Sequence, residues 1–95
     1  MSLEDYLDNV VDEKSFIEFA KVLQADKEEE NRIEKEEPSA PYSQGHNGWE
    51  NGSIEAFLES SIAWSVDTNF GEMFSKDLNP WRKFANFLLA GKFYE

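Results

Sequence analysis

A chain of 95 residues supplies one domain, and without cysteine it has neither a disulfide nor a thiolate metal site to steady it. A formal net charge of −11 sets long-range repulsion between the chain and DNA, RNA or anionic lipid, and favours basic partners. The longest wholly apolar run is Phe87 to Leu89, extended to Gly91 if Ala90 and Gly91 are counted. That falls far short of the roughly 20 residues of a membrane span, and no cationic face exists to lay a helix on a membrane.

Leu3, Tyr6, Leu7, Val10 and Val11 recur at helical spacing, with Ser2 placed as an N-cap and Asp5 three residues on. The segment is short, and Val10-Val11 can equally be extended. A second helix begins between Asp12 and Ser15, capped either by Asp12 or by Ser15 with Glu18 completing a capping box. Phe16, Phe19, Ala20 and Leu23 form its apolar stripe, and the next positions on that stripe are Lys27 and Glu30. The stretch Asp26–Glu37 has high helix propensity and a Glu28–Arg32 pair, but only Ile33 to bury. The expectation is a helix that runs past the body into solvent or frays after about Gln24, with 26–37 and the Pro/Gly-rich segment 38–48 mobile. Asn47-Gly48 and Asn51-Gly52 mark turns without flanking strands.

Ser53 caps a third helix reaching about Val66, with Ile54, Phe57, Leu58 and Ile62 as apolar anchors and Trp64 at their margin. Ser61 and Ser65 fall inside that arc, where small side chains let another helix come close. Phe70, Met73 and Phe74 lie in an irregular connection and are expected to fold back on the core. Asn79 caps the fourth helix, Pro80 stands at its first position, and Trp81, Phe84, Ala85, Leu88 and Leu89 form its stripe, with Gly91 and Lys92 near its end. The fold class expected is all-α: one domain over 1–95, a small bundle of three to four helices.

No pattern of catalytic residues emerges. A nucleophilic serine would need a base, and His46 is the sole histidine. Lone in a loop, it reads as a solvated side chain, not a metal ligand. Glu28, Glu29 and Glu30 lack the spaced oxygen ligands and turn glycine of a calcium loop, so they read as a solvated helix face. The segment Asn47–Gly52 precedes a helix but has no lysine to hold phosphate. No cofactor and no metal are expected.

Fourteen aromatic residues, eight Phe, three Tyr and three Trp, are the material for the core. Trp64 and Trp81 read as core residues. Trp49, in a loop, reads as a contact residue, because tryptophan is enriched in interface hot spots. The charge is uneven: residues 1–48 carry thirteen acids and five bases, residues 49–95 seven and four. Trp49, Glu50, Glu28, Glu29, Glu30 and Tyr42 are therefore the candidate protein contacts.

The run Trp49-Glu50-Asn51-Gly52-Ser53-Ile54, followed by Phe57-Leu58 and Ala63-Trp64, resembles the middle motif of a family of small acidic bacterial proteins classified as a domain of unknown function. Pro80-Trp81, Phe84-Ala85, Leu88 and Tyr94-Glu95 are similar to its closing motif. The resemblance covers about 49–95, with a looser fit over Val10 to Leu23, and leaves 26–37 outside the pattern. It implies a bacterial, cytoplasmic protein, and it implies no activity and no functional residues. The reading from the residues is a protein-binding module of inhibitor, immunity or adaptor type acting on a basic partner, with no nucleic-acid or membrane role; a homodimer through the aromatic half is open. The alternative is a ligand-binding or carboxylate-dependent enzyme domain with an acid in an aromatic pocket. Missing cysteines and an acidic start without an apolar signal segment make a cytoplasmic setting the expectation.

Overall fold

A computed structural model describes residues 2–38, 45–73 and 79–94. Four helices follow one another: α1 (Leu3–Asp8), α2 (Glu13–Glu36), α3 (Ile54–Asp67) and α4 (Pro80–Phe93). The described residues contain no strand, so the domain is all-α. No helix among them is long and apolar enough to cross a membrane.

Local chemistry sets the helix starts. Ser2 and Asp5 form a capping box on α1, and Asp12 and Ser15 form one on α2. Ser15 is thus the third residue of α2, answering the Asp12 cap. In each box the carboxylate accepts bonds that favour its charged form, which holds Asp5 and Asp12 below the ordinary aspartate range. Ser53 caps α3 through the Ala56 N–H. Asn79 does two jobs: its side-chain oxygen accepts from the Arg82 N–H at 2.8 Å, and its amide nitrogen donates to the Val10 carbonyl at 3.0 Å. The start of α4 is thereby tied to the α1–α2 turn, where Arg82 also donates to the Asp8 carbonyl.

The core holds Val10, Phe19, Leu23, Trp49, Ala85 and Leu89, flanked by Leu3, Tyr6, Leu7, Phe16, Phe57 and Leu88. Of the adjacent valines, Val10 is buried and Val11 exposed, both beyond the end of α1. On α4 the expected stripe divides: Ala85 and Leu89 are buried, whereas Phe84 is half-exposed and Trp81 lies partly open against Phe16, ring centroids 5.7 Å apart.

Helix α3 packs on α4 through a face different from the one its sequence suggests. Phe57, Ser61 and Trp64 turn inward, and the Ser61 hydroxyl donates to the Phe87 carbonyl at 2.7 Å. Ile54, Leu58 and Ile62, read as anchors, are exposed. The small Ser61, as expected, marks the close approach, and α4 brings Gly91 to the same seam. A methyl group added at Gly91 would sit 2.5 Å from the Phe57 ring. Gly91 and Lys92 stand in the last turn of α4, near its end as expected; the helix runs to Phe93, with Tyr94 as its cap.

After α3 the chain turns through Asn69 and Phe70 at φ 52° and 55°, then Gly71 at 88°. A left-handed phenylalanine costs about 1–2 kcal/mol. Ring contacts offset it: Phe70 stacks on Phe87 at 5.8 Å and meets Trp64 and Phe84 edge-on at 5.8 and 6.0 Å. Phe70 thus folds back on the body as expected. Met73 does not, being exposed. Phe74 lies outside the described residues.

Candidate functional site

The most elaborate group of polar side chains is where the acidic half of α2 meets the segment Gly45–Asn51 and the end of α4. Helix α2 neither stops at Gln24 nor leaves the body there. It stays helical to Glu36, and the stripe started by Phe19 and Leu23 is continued by Asp26, Lys27 and Glu30. The Asn47-Gly48 turn, closed by the Gly48 N–H donating to the Gly45 carbonyl at 2.9 Å, folds over that polar stripe.

Glu30 is only 2% exposed. One carboxylate oxygen accepts the backbone N–H groups of Asn47 and Trp49 at 3.0 and 3.2 Å, and the other accepts from Lys27 Nζ at 2.9 Å. A methyl group at Gly45 would lie 2.1 Å from that carboxylate, so the chain passes here as close as a bare backbone allows. Trp49, 8% exposed, lies beneath the turn. Its indole N–H donates to Asp26 Oδ2 at 2.8 Å, and Lys92 Nζ donates to the same oxygen at 2.8 Å. Its ring stacks on Phe57 at 6.3 Å and carries the Lys27 and Lys92 ammonium groups 5.3 and 5.6 Å from its centroid. The Lys92 carbonyl accepts from the Glu50 N–H at 3.0 Å.

This clasp corrects two expectations. Glu30 is not part of a solvated face, and Trp49 is not an exposed contact residue. Turn N–H groups and two lysines stabilise charge that would otherwise be costly to bury. Two carboxylates face two ammonium groups, so the clasp is internally neutral and the exposed acids carry the excess charge. Acid and aromatic ring do meet, but the bonds that hold the carboxylates come from the protein itself. The arrangement closes the fold.

The other candidate contacts are scattered. Glu28 and Glu29 are exposed on α2, with Glu29 at 3.5 Å from the Asn47 side-chain amide. Glu50 is exposed just past the clasp. Tyr42 lies outside the described residues. His46 is exposed and bonds the Glu37 carbonyl through its ring. Among the described residues no three metal-ligating side chains converge.

What sequence reasoning missed is the outer face of α3. Ile54, Leu58, Ile62 and Val66 stand four residues apart, 45–77% exposed, in one continuous row. At 3.6 residues per turn, Glu55 and Glu59 lie along one edge of the row. Beyond that edge is a hollow of about 270 Å³ lined by Asn51, Ala56, Glu59, Ser60, Ala63 and Tyr94. Tyr94 also walls a more apolar hollow of about 210 Å³ with Trp64, Leu89 and Phe93. Its hydroxyl donates to Asp67 Oδ2 at 2.7 Å, a bond to the neutral phenol that pushes its pKa up. The missed signal was present: four apolar residues at i, i+4, i+8 and i+12 exceed what one side of a helix with a second packed face can bury.

Neither a curated protein nor a solved structure matches the chain. A family model does, over residues 12–95, covering α2, α3, α4, the clasp and the row on α3 alike, and the chain therefore belongs to the family of unknown function DUF7660.

Proposed function

We propose that this chain is a protein-binding module, of inhibitor, immunity or adaptor type, that docks on a basic partner through the outer face of α3. The observation that carries the reading is the row Ile54, Leu58, Ile62 and Val66, exposed and edged by Glu55 and Glu59. Apolar anchors at helical spacing are what a partner groove recognises, and a contiguous exposed apolar patch marks interaction surfaces. The acidic edge and the net charge of −11 select a basic partner and steer its approach. The same charge opposes a second copy of this chain. A bacterial cytoplasm is the setting the reading assumes.

A photo-crosslinking residue placed at Ile62, with a control at Glu28 on α2, tests the proposal in cells. The expected result is one basic protein joined at position 62 and not at 28, lost when Leu58→Lys is added. Leu58→Lys itself should shift stability by no more than about 0.5 kcal/mol, because the side chain is exposed. Crosslinks to a second copy, to an acidic protein or to nothing would contradict it.

A further inference from the structure

We propose that the hollow beside the α3 row is a seat for one arginine side chain of the partner; this rests on the docking reading above. The hollow contains an acid, an aromatic wall and a floor of small residues. Glu59 is exposed and makes no ion pair among the described residues. Asn51 donates both to Ser60 Oγ at 2.8 Å and to the Gly91 carbonyl at 3.0 Å, so its side-chain oxygen is the group left to accept. Ala56, Ser60 and Ala63 keep the floor shallow. Tyr94 is fixed in place at both ends, its hydroxyl on Asp67 and its backbone N–H on the Ala90 carbonyl at 2.8 Å.

The chemistry selects the occupant. No lysine or arginine lines the hollow, and Glu59 repels an anion. A volume of about 270 Å³ is below the roughly 300–1,000 Å³ of cofactor and metabolite pockets, which suits one side chain. Guanidinium is planar, carries five donors and no acceptor, and stacks on aromatic faces, so it matches an acceptor-bearing hollow with a fixed ring. Lysine offers a compact ammonium that cannot lie flat on Tyr94 while forking to Glu59. The hollow also adjoins the apolar row through Glu59, one helical turn from Ile62. A partner segment seated on the row can therefore place an arginine here without a separate approach.

The test uses the intact chain, ¹⁵N-labelled, titrated with N-acetyl-arginine methylamide and with its lysine and citrulline counterparts. The expected result is saturating shifts at the amides of Ala56, Glu59, Ala63 and Tyr94. Binding should be in the millimolar range, weakened about threefold or more by Glu59→Gln, and weaker still for citrulline. Shifts that do not saturate, that survive Glu59→Gln unchanged, or that lysine reproduces with equal affinity would overturn the assignment. The two readings fail separately. Loss of the arginine response with crosslinks at position 62 intact removes only this seat. Loss of the crosslinks with the arginine response intact removes the docking reading and the partner as source of the arginine, and leaves a guanidinium-binding hollow.

Discussion

Replacing Glu30 by alanine is expected to destabilise the fold by about 2–4 kcal/mol, a fall in Tm on the order of 10–20 °C for a domain of this size. The magnitude follows from what the carboxylate leaves behind. The N–H of Trp49 is buried and that of Asn47 partly so; both lose their acceptor, and Lys27 loses its counter-charge beside the Trp49 ring. An orphaned buried N–H alone costs about 1–3 kcal/mol. Glu30→Gln should fall between: its carbonyl oxygen can still accept the two N–H groups, but its NH₂ meets the Lys27 ammonium. Urea denaturation at unchanged m-value measures the difference. A solvated glutamate in the same place would shift stability by less than about 0.5 kcal/mol, and that outcome would remove the clasp from the account.

Trp49→Ala is expected to cost about 3–5 kcal/mol, as for a large aromatic taken from a core. It removes the stack on Phe57, the indole bond to Asp26 and the surface on which Lys27 and Lys92 lie. Trp49→Phe separates the parts. It keeps an apolar ring and loses the indole N–H, so the cost should drop to roughly 1–2 kcal/mol. Lys92 continues to satisfy Asp26 in that variant. Midpoints from denaturant unfolding read both changes. Near-neutral stability for Trp49→Ala would return this residue to the role of an exposed contact.

The parts of the fold legible in the sequence are those decided within a few residues. The Ser2 and Asp12 caps, Ser53, the Asn79-Pro80 start and the Asn47-Gly48 turn all appear where their residue types place them. Ser61 was legible too, because a small residue among large ones marks where a second helix fits. The buried face of α3 was not. Helical periodicity identifies a face only when polar residues mark the opposite side, and α3 carries Phe57 and Trp64 on one side and Ile54, Leu58, Ile62 and Val66 on the other. Which side meets α4 is settled by two pairings across the seam, Ser61 on the Phe87 carbonyl and the Phe57 ring on Gly91, each between positions far apart in the chain.

Glu30 was illegible for a different reason. Acids in a run of acids read as solvated, and nothing local marks one of them as the acceptor of two distant N–H groups. In hindsight the pieces were adjacent: Lys27 and Glu30 extend the stripe of Leu23, and a glycine-bearing turn precedes the tryptophan. Burial of a charge is decided by donors that arrive from elsewhere. The same limit applied to the candidate contacts. Sequence reasoning selected Trp49 and Glu30 as outward-facing, and the structure uses both to close the domain, while the exposed apolar row stands on α3.

Amide hydrogen exchange at Asn47 and Trp49 tests most directly whether a sequestered carboxylate pins this turn to α2. Both amides are expected to exchange only in the openings that expose core residues such as Phe19, and Glu30→Ala is expected to release them while Phe19 stays protected more strongly than they do. Exchange of these two amides in the unaltered protein at the rate of exposed backbone would contradict it.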